Sequence, residues 1–249
     1  MGGQRGPVSK TARGRQLHLA CRRMSGLEKD AALQDLAELA SSTWAGPIRR
    51  MALDAARAAV SDPFWVVRDT ATEMLGDFGS PRDRAALREL LRDPHWVVRA
   101  AAAGSLGCLG APKDKSLLLD TLRHDSVITV RRHAALALAE LGDAAIIASL
   151  LSAKARTRSP RLRAAIVHAL LVLDQKEFAV PYIKLLSSDD FLIVDNVLTA
   201  LAVLFEDKPW LAEHASLTAS LAGSVVREAT SADTVYRAKS LLAVIEALR

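Results

Sequence analysis

Trp65 stands three residues before Arg68, and Trp96 stands three residues before Arg99. Residues three apart share a helical face, so each pair offers an indole beside a guanidinium. That combination does recognition chemistry: it can hold a partner's side chain, a stacked base or a carboxylate. The competing reading packs both indoles between neighbouring elements, and the exposure of the two rings separates the readings. A second concentration of cations, Lys154, Arg156, Arg158, Arg161 and Arg163, puts five bases in ten residues with no acid among them. A solvated loop and an anion-binding loop would both look like this. Bond-breaking chemistry has little to work with. None of the six histidines begins His-Glu or His-x-x-x-His, and no Gly-rich phosphate loop or Gly-x-Ser-x-Gly elbow occurs. The expectation is no catalytic residue, no metal and no cofactor, with His133 and His168 as packed or partly exposed helix residues.

What positions these side chains is a phrase that returns every 31 or 32 residues: Asp62-Pro-Phe-Trp-Val-Val-Arg68, Asp93-Pro-His-Trp-Val-Val-Arg99, Asp125-Ser-Val-Ile-Thr-Val-Arg131. Such a period marks a stacked solenoid, each unit touching only its neighbours. Around the reference position (Arg68, Arg99, Arg131, Arg163, Asp195), apolar residues stand one before, three after and ten after. They draw a single stripe down a helix of about four turns. Asp62 and Asp93 are placed to cap free amides, with Pro63 and Pro94 at the first helical position, and Ser159-Pro160 repeats the device. Gly79, Gly110 and Gly142 follow the last apolar residue, where a left-handed residue closes a helix. Shorter helices are expected between these, at 48–60, 82–91, 113–122, 144–151, 177–186 and 210–222.

The pattern resembles HEAT repeats, and in particular the bacterial phycobilisome-lyase-like branch. Asp93, Val98, Arg99, Ala102, Ala103, Leu106, Leu109 and Gly110 carry the resemblance, with their counterparts from Asp125 to Gly142. It covers about 45 to 205 and erodes toward the C-terminus. There Asp195 takes the arginine position and Asp174 and Glu206 replace the closing glycine, while Arg237 restores the arginine after an insertion. The resemblance implies an all-α fold, a right-handed α-solenoid of about six HEAT-like hairpins. It implies that the second helices line a concave wall, where the reference arginines could form a ladder of cations. It equally implies that the turn aspartates pair with those arginines and knit adjacent repeats. A relative of similar fold, deoxyhypusine hydroxylase, binds iron through His-Glu pairs that this sequence lacks.

The expected organisation is a basic, disordered tail at 1–25 and one repeat domain at 26–249. That domain has a capping helix at 27–40 and repeats at about 47–79, 80–110, 111–142, 143–174, 175–206 and 207–249. Half the residues are apolar and few are aromatic, which suits short packed helices. The net charge of +5 divides unevenly: +6 over residues 1–25, −4 over 26–80, +7 over 81–165 and −4 over 166–249. An acidic partner is drawn to the tail and the middle repeats. Cys21 and Cys108 are too few for a disulfide framework, and Cys108 is expected as an apolar filler in a core helix. No apolar run approaches the roughly 18 residues of a membrane span, so no membrane contact and a cytoplasmic location are expected. Together these features point to a non-catalytic protein-interaction module, an adaptor or scaffold. Its expected contact residues are Trp65, Arg68, Trp96, Arg99, Arg131, Arg132, Arg156, Arg158, Arg161 and Arg163. Nucleic-acid binding is the alternative. A tetrapyrrole lyase would need an apolar groove, and a DNA glycosylase would need an exposed carboxylate beside Trp65 or Trp96.

Overall fold

The computed structural model describes residues 9–42 and 46–248. Among the described residues there are helices and 3-10 turns and no strand. They belong to two compact units, Met1–Leu141 and Gly142–Arg249, where the composition suggests one continuous array.

In unit 1 the helices pair in chain order: α1 (Lys10–Arg23) with α2 (Gly26–Ser41), α3 (Gly46–Ala59) with α4 (Trp65–Phe78), α5 (Arg84–Leu90) with α6 (Trp96–Cys108), and α7 (Lys115–His124) with α8 (Ile128–Glu140). The second helix of each pair packs on the next one, so α2, α4, α6 and α8 form an inner layer. Leu36, Leu75, Leu106 and Leu138 are fully buried within it. The layer closes tightly because small residues meet across it. A Cβ added at Gly107 would stand 2.7 Å from the Ala137 Cα, and one at Gly76 would stand 2.9 Å from the Ser105 Cβ. Ser105 Oγ also donates to the Thr72 carbonyl at 3.0 Å, which satisfies a hydroxyl in the seam.

Residues 10–23, expected to be disordered, are the helix α1. Ser9 Oγ caps it by accepting from the Ala12 amide at 3.2 Å, and Cys21 is buried in its contact with the body. Gly14 lets α1 approach α3, since an added Cβ would meet Met51 at 3.2 Å and Ile48 at 3.5 Å. An acid-free stretch therefore folds because its few small and apolar positions share one face. The rest of the expected tail, residues 1–8, lies outside the described residues. Paired with α1, α2 is the inner helix of a first hairpin rather than a lone cap.

Other expectations shift by a turn. The helices start at Trp65 and Trp96, so Pro63 and Pro94 lie in the bend before them. The Asp62 and Asp93 carboxylates each bond the amide two residues on, Phe64 at 3.0 Å and His95 at 2.8 Å, outside the helix. Gly110 and Gly142 are left-handed as expected, but Gly79 is extended at φ −68°, ψ −176°. Cys108 is exposed instead of filling the core.

Unit 2 pairs α9 (Ile146–Arg156) with α10 (Pro160–Val172), and α11 (Ala179–Ile183) with α12 (Phe191–Asp207), and ends in α13 (Ala215–Glu228) and α14 (Ala232–Ala247). The helix expected at 177–186 shrinks to the five residues of α11 between two 3-10 turns, consistent with Pro181 interrupting it. Its core gathers Tyr182, Leu198, Leu201, Phe205 and Leu241. Asp174 takes a left-handed φ of 60° where earlier repeats have glycine. Its Oδ1 accepts from Lys208 Nζ at 3.0 Å and Trp210 Nε1 at 3.1 Å, which helps hold that conformation.

Candidate docking edge of unit 1

The turns into the inner helices of unit 1 lie along one edge, and the turn aspartates determine what that edge can do. Lys29, at the fourth position of α2, donates to Asp62 at 2.7 Å. Arg68, at the fourth position of α4, makes a two-pronged pair with Asp93 at 2.7 and 2.8 Å. Arg99 does the same with Asp125 at 2.7 and 3.1 Å. Each cation thus reaches the aspartate of the following repeat, and the two arginines do so rather than pair with the one six residues back. Toward its own turn it uses carbonyls, Arg68 donating to Asp62 O at 2.8 Å and Pro63 O at 3.2 Å. Four hydrogen bonds from one planar guanidinium leave Arg68 little with which to grip a ligand. Arg99 is committed in the same way, to Asp93 O and Pro94 O.

Burial pushes the Asp93 and Asp125 carboxyls up. The hydrogen bonds from arginine and from the backbone amide, with the arginine charge, outweigh it and hold both below the ordinary carboxylate range. Unpairing either partner would strand a desolvated charge.

A second row of pairs runs along the outer turns, and sequence reading missed it. Arg57 reaches Asp83 at 2.7 and 3.0 Å, and Arg88 reaches the fully buried Asp114 at 2.5 Å. The signal was present: Arg57 and Arg88 are one period apart, as are Asp83 and Asp114. Hydrogen bonds from Arg57 hold the Asp83 carboxyl down at about 2 against the effect of burial. Lys29 was missed as well, since a lysine stands there where later repeats use arginine.

The inner ladder changes at α8. Arg131 Nε donates to the Leu122 carbonyl at 2.8 Å, and among the described residues it has no carboxylate partner. The position one period beyond Asp125 is Thr157. Arg92, in the turn before α6, and Arg123, in the last turn of α7, are exposed and likewise without carboxylate partners among the described residues.

Trp65 and Trp96 stand on this edge as the first residues of α4 and α6, 40% and 41% exposed. His95 stacks on Trp65, centroids 3.8 Å apart and planes within 14°, and lies 6.2 Å from Trp96. The indoles are therefore braced on one side and open on the other. Phe64 extends the row, 49% exposed, with its ring above Gly26. Gly26 has φ +56°, so a side chain there would meet both strain and the ring. Leu27 follows, 75% exposed.

The other expected contact residues are scattered. Arg132 lies on α8, partly buried. In unit 2, Arg161 pairs with Asp190 at 2.7 and 3.2 Å, and Arg163 donates to the Thr157 carbonyl at 2.9 Å. Arg156 and Arg158 are exposed. The inner face of α4 carries acid: Asp69, Glu73 and Asp77, with Asp30 of α2 nearby and bonded to Thr70 at 2.5 Å. Burial, with Glu73 and Asp30 adding like charge, pushes Asp69 up to about 6. Asp69 is the acid one turn beyond Trp65. Its Oδ1 is closed off from solvent and accepts no hydrogen bond from the described residues, which is not the exposed carboxylate that base excision would require.

Hairpins stacked through a shared inner layer and pinned by two rows of ion pairs define a helical-repeat protein. Residues 53–139 match the family model for HEAT repeats. Among solved structures, the complex of CpcE and CpcF of phycocyanin lyase from Nostoc sp. PCC7120 is similar with a TM-score of 0.66 and 17% identity, over 98% of each chain. Human deoxyhypusine hydroxylase in complex with glycerol is similar at 0.45 and 18%, over 96% of this chain and 97% of that one. An engineered protein is similar at 0.43 and 18%, over 94% and 97%. Comparison with curated proteins gives no significant match. No described helix is long and apolar enough to cross a membrane.

Proposed function

We propose that the protein is a non-catalytic adaptor of the cytoplasm that binds another protein along the aromatic edge of unit 1. The observation that carries this reading is the row Phe64, Trp65, His95 and Trp96, braced by stacking and left half open to solvent. Half-exposed indoles on a rigid frame are the composition of binding hot spots. They also lose little conformational freedom on binding. The reading moves the contact from the concave wall to the edge, because the arginines expected to line that wall are committed to neighbouring repeats. The similar structure of phycocyanin lyase is a complex of two proteins, CpcE and CpcF, which supports a protein partner.

The test is affinity capture with three baits: wild type, Trp65→Ala/Trp96→Ala, and Arg156→Glu/Arg158→Glu, each checked for helical content. The proposal expects one partner retained by wild type and by the charge reversal and lost with the tryptophans. Equal capture by all three would remove it.

A further inference from the structure

The turn between α9 and α10 gathers positive charge that the chain does not neutralise. Residues 154–163 hold Lys154, Arg156, Arg158, Arg161 and Arg163 and no acid. Two of these cations are spent locally. Lys154 Nζ lies 4.7 Å from the centre of the Phe178 ring, and Arg161 pairs with Asp190 at 2.7 and 3.2 Å. Arg156, Arg158 and Arg163 are exposed, and none has a carboxylate partner among the described residues. Arg163 gives one hydrogen bond, from Nη2 to the Thr157 carbonyl at 2.9 Å. The acids of the neighbouring turn are Asp189 and Asp190; with Asp190 taken by Arg161, exposed Asp189 stands against three guanidinium groups.

The backbone that carries them is fixed. The Thr157 amide donates to the Ala153 carbonyl at 3.0 Å, Thr157 Oγ1 accepts from the Ser159 amide at 3.2 Å, and Ser159 Oγ accepts from the Leu162 amide at 3.3 Å. Thr157 is extended and buried, so its neighbours Arg156 and Arg158 both point out of the turn. Arg163, bonded to the Thr157 carbonyl, brings a third guanidinium to the same residue. A frame held in this way loses little freedom when a ligand binds.

The turns of unit 1 show what this one lacks. Thr157 stands one period beyond Asp125, at the position that Asp62 and Asp93 hold in earlier repeats. There one cation of the chain matches each turn aspartate, as Arg99 matches Asp125 at 2.7 and 3.1 Å. In the turn before α10 the carboxylate is gone and three arginines remain. If one guanidinium satisfies one carboxylate, three suit a group with more charge and more oxygens, and a phosphate monoester carries a near-double charge on three terminal oxygens. Small molecules are held by burying most of their surface. Three exposed side chains favour instead a phosphate borne by a protein segment that makes contacts of its own beyond the turn.

We infer that this turn of unit 2 binds the phosphate of a phosphorylated serine or threonine in a partner protein, with Arg156, Arg158 and Arg163 as its donors. The contact is independent of the docking reading above and needs neither Trp65 nor Trp96. A polynucleotide fits less well, because its next phosphates would run on to Asp189 and Asp190 rather than to further cations.

The test uses the full chain and labelled nine-residue peptides, read by fluorescence anisotropy at low salt. The peptides carry phosphoserine, serine or glutamate at the centre of one neutral sequence; inorganic phosphate is a competitor, and a single-stranded oligothymidine is the last probe. The inference expects the phosphoserine peptide to bind roughly tenfold or more tightly than the other two peptides and the oligothymidine. Arg156→Gln/Arg158→Gln should remove that preference with no fall in melting temperature, and Arg163→Lys should weaken it severalfold. Thr157→Asp, which restores the carboxylate of the unit 1 turns, should do the same, whereas Trp65→Ala/Trp96→Ala should bind as wild type does. No binding of the phosphoserine peptide, or equal affinity for the glutamate peptide, overturns the inference. Binding unchanged in Arg156→Gln/Arg158→Gln removes the turn as the seat. Inorganic phosphate competing as well as the unlabelled phosphopeptide overturns the protein source and leaves an anion site. Tighter oligothymidine binding that is lost with the same arginines assigns the turn to nucleic acid instead.

Discussion

The two units begin their inner helices differently. In unit 2 two of the three carry a serine cap that accepts from an amide inside the helix, Ser159 from Leu162 and Ser231 from Thr234, while Asp190 accepts from the Leu192 amide and also takes Arg161 of the preceding repeat. In unit 1 all three turns are of the second kind: Phe64, His95 and Val127 precede the helix, and the aspartate two residues earlier holds the cation of the previous repeat. A serine cap serves its own helix, whereas a turn aspartate makes each turn part of its neighbour.

The most damaging way to break this contrast is Asp93→Ala. It strands Arg68 in a pair whose side chains are only 13% and 5% exposed, and we expect a loss of about 3 kcal/mol in urea unfolding. Asp190→Ala in unit 2 should cost far less, since its pair with Arg161 is 44% and 28% exposed and screened by water. Equal losses would mean that the unit 1 ladder is no tighter than a surface pair.

Next in size is the seam. Gly107→Ala drives a methyl into the Ala137 backbone and should cost about 2 kcal/mol. In unit 2, Gly223→Ala meets only Arg227 Nη1 at 3.5 Å, so helix propensity dominates and a gain of roughly 0.5–1 kcal/mol is expected. A gain at both sites would show that the seam is loose.

Acid separates the units by sign. Asp69, raised to about 6, is protonated more readily folded than unfolded, so its stabilising contribution is full in acid and is lost as pH rises through 6. His168 in unit 2 is partly buried and stacks on Tyr182, and burial lowers it to about 4. Its contribution is therefore present at neutral pH and lost as pH falls from 6.5 to 4. Asp69→Asn should flatten the fall in stability between about pH 4 and pH 6 in urea melts, and His168→Gln should flatten the fall below pH 6. The same slope in wild type and both variants would contradict these assignments.

The smallest effect concerns the caps. Ser159→Ala should cost about 1 kcal/mol, whereas Val127→Ser should cost nothing or gain up to about 1 kcal/mol by supplying the missing cap. A loss at Val127 would show that its side chain supports the turn.

Period and helix type were readable because burial imposes them locally: Val67, Val98 and Val130 are each fully buried at the same step of the repeat. The cross-repeat choice of each arginine was not readable, because sequence spacing favours the aspartate six residues back and only packing brings the next turn closer. Helix α1 was hidden by its charge, since Gly14 and Cys21 are its only buried residues. For the candidate edge, the tryptophans were identified from sequence. His95 as the ring between them was not, because one histidine in a turn carries no periodic signal.

Hydrogen exchange of the protein with its captured partner tests the central claim most directly. Slowed exchange confined to the turns and first helical residues at 61–68, 92–99 and 123–131 is the predicted result. Protection confined to the inner face of α4 and α8, or to α10, α12 and α14 of unit 2, would contradict it.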